Sequence, residues 1–595
     1  MKAARRDAKV PATRHVVTAA LTLLVLGTLG AVQAGQAGAS FMYDLEQVEP
    51  PLAREVPAVE DASTPRLSRR VFLVIVDGLR FDRSYELPFL DALRRDGVDS
   101  EARAHYPTWS RPNYVAILTG VPPSASGVRT NHHHTPVLLD ALMDRARAAG
   151  LTVASATDYD VLPRLFLRRR GDMTSPAWRA PIVFDVDDEV ALEAAEDPVA
   201  AIAVRSPAAD LASPFHDARY APWPGGFSEA GAAVAAGNTD LVVLLLGAVD
   251  AAGHAYGGDS PEYRAAAQMA DRALSRALGT VDLEHDTIVI VADHGHTARG
   301  GHGGLEPEVT NVPLVLVGAG IDRAGTPRDA LLIDVAPTVS ALLGIPAPGH
   351  GLGRTLIEVL KLDEVERARR LLADEARLTR NREIVRRAEA RAASDVLEHR
   401  AARLAFVLCG TLLAIGLAAM LLKRRVLHLD LRLLIVTVPV FFIVYYALIG
   451  TLGQRFSPSL LPAQGHLAGT LVRYGLAGTL VQLLANLWAL RTRPALADRL
   501  AAANGIAWVG LMLAMVPAGI VWAFFPPPYV SLPGPFWLVL IPAVEVAVAC
   551  AAMTFALTLA VEVVVFAARA WQRDRPTTAP TTDTTDDEPV SGARA

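Results

Sequence analysis

Along residues 71–354, short runs of branched aliphatic residues alternate with Ala- and Leu-rich segments at helical spacing. Three runs, VFLVIVDG (71–78), LVVLLLGAVDAAGH (241–254) and TIVIVADHGH (287–296), begin with continuous apolar stretches and close on acidic or histidine residues. Unbroken apolar runs of that length suit strands covered on both faces. The alternation predicts an α/β domain over residues 70–355, a central, mostly parallel sheet flanked by helices. Residues 207–226 break the rhythm and read as a loop or insertion.

Beyond the domain the pattern changes twice. Residues 362–403 are dense in Arg and Glu, with apolar Leu362, Val365, Leu372, Ile384, Val385, Ala388 and Val396 between them. This predicts an amphipathic helical linker over 356–403. It would pack on the domain, lead into a membrane, or stand as a solvated stalk. Five apolar stretches then follow, at 404–422, 433–452, 467–490, 501–525 and 536–567. At ~1.5 Å per residue each can cross a ~30 Å hydrocarbon layer. They predict an all-α, multi-span membrane bundle of about five helices over 404–570.

Near the start, an apolar run at 16–32 follows Lys2, Arg5, Arg6, Lys9 and Arg14. Residues 1–35 are therefore a signal anchor or a signal peptide, with Val32-Gln33-Ala34 resembling a cleavage site. Residues 36–69 lack clear periodicity and read as a linker. The Thr-, Asp- and Pro-rich residues 571–595 read as a disordered tail.

Composition and charge add topology. A chain of 595 residues is too long for one ordinary core, and most of the excess behind its 51% apolar content lies in residues 404–568. Lys423-Arg424-Arg425, Arg491 with Arg493, and Arg569 with Arg573 lie at alternate ends of those spans, whereas 453–466 and 526–535 carry only Arg455. Under the positive-inside rule the basic ends are cytoplasmic. The α/β domain is then expected outside the plasma (inner) membrane, periplasmic or extracellular, with the tail cytoplasmic. Cys409 and Cys550 both fall in predicted spans, so the exported domain is expected to have no disulfide. A net charge of −5 gives no reason to expect a nucleic-acid partner.

The chemistry sits at the ends of the apolar runs. Asp77, Asp250, His254, Asp293 and His294 occupy those ends, and RGGHGG (299–304) adds His302. Burying one unpaired carboxylate costs several kcal/mol, so three at strand ends call for cations. Open α/β sheets also place ligands beyond their strand carboxyl ends. Asp oxygens with His nitrogens suit zinc. Asp293 and His294 are adjacent, so they can face one ion only if the chain turns there, which Gly295 would permit.

A candidate nucleophile lies in HYPTWSRPNYVAILTG (105–120): Ser110, ahead of a helix expected from about Asn113. The positive field of a helix N-terminus and a neighbouring cation would each lower its hydroxyl pKa. Thr108 is the competing hydroxyl, and capping the helix is the ordinary role for a Ser there. His132, His133 and His134 could bind substrate or metal, or form a polar surface loop. His296 could line the pocket or cap a turn. Arg473 and Glu545 both lie within apolar spans and are expected to pair.

VDGLRFDRSYELPFLDAL, PTWSRPNYVAILTG, GAVDAAGHAYG, VADHGH, GGHGG and DVAPTVSALLGIPAP together resemble, in order, the alkaline phosphatase superfamily. Specifically they resemble its type I phosphodiesterase/nucleotide pyrophosphatase branch and the related GPI ethanolamine-phosphate transferases. The resemblance implies an alkaline-phosphatase-like fold, two zinc ions or other divalent metals, and a phospho-serine intermediate. It assigns one ion to Asp250, His254 and His302, and the other to Asp77, Asp293, His294 and Ser110. Two cations ~3.5–4 Å apart would stabilise the attacking and leaving oxygens of an in-line displacement.

The resemblance also gives Asn113 a bond to a phosphate oxygen. In the transferases the nucleophile segment resembles ESRPGH, which TWSRP matches up to Asn113, and a multi-span bundle follows their catalytic domain too. A sulfatase is disfavoured because Tyr114 stands where its C/S-x-P-x-R motif needs Arg. The leading expectation is a membrane-bound, metal-dependent phosphodiesterase or phosphohydrolase acting on a phosphoester, a phospholipid among the candidates. The alternatives are a phosphoethanolamine-type transferase from a phospholipid donor to a lipid or glycan, and a non-catalytic membrane protein that keeps the fold.

Overall fold

The computed structural model describes residues 13–48, 50–60, 64–133, 135–157, 161–166, 232, 235–452, 456–460, 467–493 and 495–573. The expected insertion at 207–226, His134, Arg455, the basic residues before 13 and the tail beyond 573 lie outside them.

Seven strands form one sheet: β1 (Val71–Val76), β2 (Val98–Arg103), β3 (Val153–Thr157), β4 (Leu241–Leu246), β5 (Thr287–Val291), β6 (Asn311–Gly318) and β7 (Ala330–Leu331), in the order β3-β4-β1-β5-β6-β2-β7. β3, β4, β1 and β5 pair in parallel, and β6 alone runs against its neighbours β5 and β2. Every residue of β1, β4 and β5 is buried, as their unbroken apolar pattern requires. Register pairs Val76 with Leu246 and Ile75 with Val291, so these three central strands end almost level. Whatever follows each of them therefore meets at one edge of the sheet.

The other part is helical. Thr13–Glu46, Glu364–Lys423, Leu431–Leu452, Leu496–Phe524 and Pro535–Arg573 are helices, and each contains a stretch long and apolar enough to cross a membrane. Leu467–Leu490 is a further helix whose apolar run is interrupted by Arg473, Gln482 and Asn486. The chain is thus a multi-pass membrane protein.

Three expectations change. The N-terminal helix does not stop near residue 35 but continues through Val32-Gln33-Ala34 to Glu46. Small residues let it lie against Pro535–Arg573: a Cβ at Gly38 would sit 3.3 Å from Val546 Cγ2. Phe41 and Leu45 are then buried in the bundle, which leaves only the residues past Glu46 as a connection.

Second, the amphipathic linker and the first C-terminal span form one 60-residue helix, Glu364–Lys423, opened by an Asp363/Glu366 capping box. Only part of the apolar stripe that suggested it docks: Leu362, Ile384 and Val385 pack on the domain core. Val365 and Leu372 are 68% and 67% exposed. Buried polar residues grip the domain as well. Arg377 donates to the carbonyls of Gly351 and Gly353 (both 2.8 Å), Asn381 to that of Gly349 (2.9 Å) and Arg370 to that of Ile345 (2.8 Å).

Third, Arg473 and Glu545 do not pair. Arg473 donates to Thr470 Oγ1 (3.2 Å) on its own helix. Glu545 lies instead beside the N-terminal helix, its Cβ 3.6 Å from where a Cβ at Gly38 would stand.

The domain sits directly on the bundle. Tyr106 donates its hydroxyl to Pro533 O (2.7 Å), and Arg129 donates to Tyr529 O (2.7 Å) and Val530 O (3.0 Å). Glu46 Oε1 accepts the Arg129 amide (3.1 Å), and Trp109 is buried in the apolar cluster of the bundle. Within the bundle, Pro439 interrupts the backbone ladder of its helix. The Phe441 N–H donates to Gln482 Oε1 (2.8 Å), whose amide donates to Asn486 Oδ1 (2.6 Å), and Asn486 in turn donates to Thr558 Oγ1 (3.0 Å).

Gln482→Ala should therefore leave a buried N–H and the Asn486 oxygen unpaired, lowering stability by about 1 kcal/mol. Unfolding of the detergent-solubilised protein should show this. Leu484→Ala, on a residue 60% exposed, should leave the transition unchanged.

Candidate active site

β1, β4 and β5 deliver the site. Asp77 follows β1 directly, Asp250 lies in the first turn of the helix Ala248–Tyr256 just past β4, and Asp293 and His294 follow β5. All of them are buried, as is His302. Gly78, at φ 74°, allows the close approach: a Cβ there would lie 2.7 Å from Asp250 Cα.

Side-chain donors converge in two groups, each within 4.8 Å: Asp77, Asp293 and His294, and Asp250, His294, His296 and His302. His294 Nε2 is 3.2 Å from Asp293 Oδ2 and 3.4 Å from Asp77 Oδ1, so the chain does turn after Asp293 as Gly295 was expected to allow. His294 Nδ1 faces the Gly295 carbonyl at 3.1 Å. A carbonyl only accepts, so Nδ1 carries the proton and the Nε2 lone pair points into the cleft. The same logic holds for His302, whose Nδ1 donates to Thr108 O at 2.6 Å. Its Nε2 lies 3.1 Å from His254 Nε2, which is 3.4 Å from Asp250 Oδ2. The set expected for one ion, Asp250, His254 and His302, is thus together.

His296, left open from the sequence, has a different place. Gly301 N–H donates to its Nδ1 (3.2 Å), so the proton is on Nε2, 2.8 Å from Asp250 Oδ1. A nitrogen that donates to Asp250 has no lone pair for a cation, so His296 orients the carboxylate. Gly253 makes room for it: a Cβ there would be 2.4 Å from the His296 ring.

The electrostatics show what the cluster lacks. Burial, reinforced by the charges of Asp293 and Asp250, holds Asp77 well above the usual carboxylate range. Burial likewise raises Asp293 to about 7 and lowers His294 to about 3. Asp293 Oδ2 is buried with no hydrogen-bond partner. Packed carboxylates, an orphan carboxylate oxygen and inward imidazole lone pairs fit bound metal cations.

Ser110 is the first residue of the helix Ser110–Thr119, which starts earlier than expected. Trp109 holds the cap position, and no side chain caps the helix. Ser110 is therefore not a cap. Its buried Oγ lies 3.1 Å from His294 Nε2 and 3.5 Å from Asp77 Oδ1, in the positive field of the helix end. Thr108, the rival hydroxyl, is committed elsewhere: it donates to Gly304 O (3.0 Å) and accepts from Gly303 N (2.8 Å).

The expectation for Asn113 is corrected. Its Oδ1 accepts from His105 N (2.9 Å), and its Nδ2 faces the carbonyls of His105, Pro107 and Trp109 at 3.1–3.2 Å. Three carbonyls and an amide occupy the side chain, so it shapes the loop before Ser110 and does not point at a phosphate. Tyr114 is the residue that sequence reasoning missed: its hydroxyl donates to Asp77 Oδ2. Its helical spacing from Ser110, one turn on, was the available signal. His133 Nδ1 lies 3.0 Å from Glu46 Oε2, and the His132 ring is 5.3 Å from that of Tyr43, so both sit at the junction with the N-terminal helix.

Comparison with known proteins bears out the motif resemblance. Residues 71–301 match the model of the type I phosphodiesterase/nucleotide pyrophosphatase family. GPI ethanolamine phosphate transferase 1 of Homo sapiens is 26% identical over 345 residues, covering 51% of this chain and 34% of that protein. Its counterpart in Aspergillus oryzae is 25% identical, covering 56% and 35%. The chain therefore spans about a third of the length of these relatives. Among solved structures, alkaline phosphatase PafA is similar at 13% identity and a TM-score of 0.35, covering 50% of this chain and 99% of that one.

Two outcomes follow from the geometry. Asn113→Ala should lower stability by about 1–3 kcal/mol through the unpaired backbone groups of residues 105–109, measured by thermal unfolding. The raised Asp293 pKa gives a pH signature. In chelator-treated protein its stabilising contribution is complete below the ordinary value of 3.8 and is lost as pH rises through about 7. Stability without metal should fall over that window, while metal binding, which must displace the same proton, should tighten.

Proposed function

We propose that this chain is a membrane-bound, metal-dependent phosphotransferase. In this reading it moves a phosphoethanolamine-type group from a phospholipid donor to a lipid or glycan hydroxyl through a phospho-Ser110 intermediate. The observation that carries it is Ser110 Oγ, uncapped at a helix N-terminus, between His294 Nε2 at 3.1 Å and Asp77 Oδ1 at 3.5 Å. Transfer is favoured over release to water by the activity named for the relatives. It is favoured also by place: Trp109, next to Ser110, is buried in the apolar cluster of the bundle, which keeps Ser110 close to the membrane part. Asp77, Asp293, His294 and Ser110 would hold one zinc ion, and Asp250, His254 and His302 a second. Bound there, the ions would lower the hydroxyl pKa and neutralise charge developing on the phosphoryl oxygens.

The chain's own groups supply alignment. Gly295 O and Thr108 O fix the tautomers of His294 and His302, and Tyr114 and His296 orient Asp77 and Asp250. In the first step Ser110 Oγ bonds to phosphorus as the bond to the lipid oxygen breaks. The hydroxyl proton is lost and the lipid alkoxide is protonated. In the second step an acceptor hydroxyl attacks the phospho-serine, and Ser110 regains its proton. The domain would face outward from the plasma membrane. The basic Lys423, Arg491 and Arg569 support this by the positive-inside rule, under which their end of the bundle would be cytoplasmic.

Hydrolysis by the same intermediate is the second reading, favoured by the phosphodiesterase family match. A non-catalytic role fits poorly with a converged set of donors around an uncapped serine.

The test is a proteoliposome assay with headgroup-labelled phosphatidylethanolamine and added membrane lipids. Label should move to an organic-soluble acceptor, and Ser110→Ala should lower the rate at least about 10³-fold. Label found only in water would favour hydrolysis. Undiminished turnover in Ser110→Ala would remove the nucleophile assignment.

A further inference from the structure

His302 is held from two sides. On one side Thr108 accepts from its Nδ1 (2.6 Å) and also binds the Gly303 amide (2.8 Å). On the other, the chain just past His302 is tied to the membrane bundle. Gly304 N–H donates to Ser459 Oγ (2.7 Å), Ser459 Oγ–H donates to Glu306 Oε2 (2.5 Å), and Ser457 Oγ–H donates to Glu306 Oε1. Ser457 and Ser459 belong to the connection between the helices Leu431–Leu452 and Leu467–Leu490, on the side of the bundle that faces the domain.

This contact is built. Ser459 is completely buried, and both Glu306 oxygens are engaged. Gly304 is shaped to it: a Cβ there would lie 2.5 Å from the hydroxyl oxygens of both serines and 2.3 Å from Glu306 Oε2. Phe456, which enters the turn, takes φ 58°, a conformation rare for a residue with a side chain, and its ring packs 5.5 Å from Phe536.

We propose that this membrane loop is a positioning element of the catalytic centre. Ser457 and Ser459, through Gly304 and Glu306, set the direction in which His302 presents Nε2. The affinity of the cation shared by Asp250, His254 and His302 then depends on the bundle being docked. Removing such supports to a metal ligand typically weakens binding 10–100-fold, because the ligand loses its preset orientation. Among the described residues, the other cation group, Asp77, Asp293 and His294, makes no hydrogen bond to this loop, and its ion should be the less affected of the two.

The inference rests on His302 being a cation ligand, so the experiment includes that control. In the full-length protein in detergent, zinc affinity is measured by chelator competition, with thermal unfolding recorded alongside. His302→Ala should weaken one zinc ion and spare the other. Ser457→Ala/Ser459→Ala should weaken the same ion about 10–100-fold. Gly304→Ala, which pushes the serines away from the opposite side, should act in the same direction. Ser457→Thr, which keeps a hydroxyl at a half-buried position, should bind as the parent does.

Wild-type affinity for both ions in the double-serine variant, with His302→Ala still selective, would overturn the positioning role alone. Loss of both ions together with a lowered melting temperature in Ser457→Thr as well would also overturn it, because the loop would then act only on folding. Two ions retained in His302→Ala would remove the ligand assignment and with it the inference.

Discussion

Three carboxylates held out of water at the end of one sheet are the constraint around which the site is organised. Asp77, Asp250 and Asp293 reach the same point because β1, β4 and β5 are adjacent, parallel and in level register. Burial, with the charges of their neighbours behind it, raises Asp77 and Asp293. A folded chain can keep such a cluster only with cations or protons to balance it. The surroundings are built for the cations. The outer N–H groups of His294 and His302 donate to backbone carbonyls, which turns both inner nitrogens toward the cluster.

The second organising feature is the junction between domain and bundle. It is polar at its edges, where Arg129, Tyr106 and Glu306 bond to carbonyls and hydroxyls, and apolar at Trp109. The long helix Glu364–Lys423 adds a further hold through Arg370, Arg377 and Asn381. Fixed donors aimed at backbone carbonyls give direction that apolar contact alone does not. The loop before Ser110 and the loop that carries His302 both touch this junction, so this edge of the sheet is anchored to the membrane part.

The departures from expectation share one cause. Asn113 matches the residue to which the family resemblance gives a phosphate contact, yet its amide is drawn to four backbone groups of its own loop. Residues 362–403 stood out from the sequence for their apolar positions among Arg and Glu, yet the polar Arg377 and Asn381 are among the residues buried against the domain. Residues 36–46 read as linker because Ala and Gly give no periodic signal, although small size is what a closely packed helix needs. In each case polarity or size was legible, but the partner was not. The partner came from a distant part of the chain.

The sequence by itself determined much of this protein. Unbroken apolar runs dictated buried strands, the residues ending them dictated an edge able to bind metal, and the long apolar segments dictated a membrane bundle. These are properties of local pattern, and local pattern is written in consecutive residues. Only the tertiary structure decided which nitrogen of each histidine faces inward, that His296 supports Asp250 and does not replace His254, and that Tyr114 braces Asp77. It alone placed Ser457 and Ser459, some 150 residues away in the chain, against Glu306. Hydrogen-bond direction depends on where a partner lies in space, and that is fixed only once the strands and helices have packed.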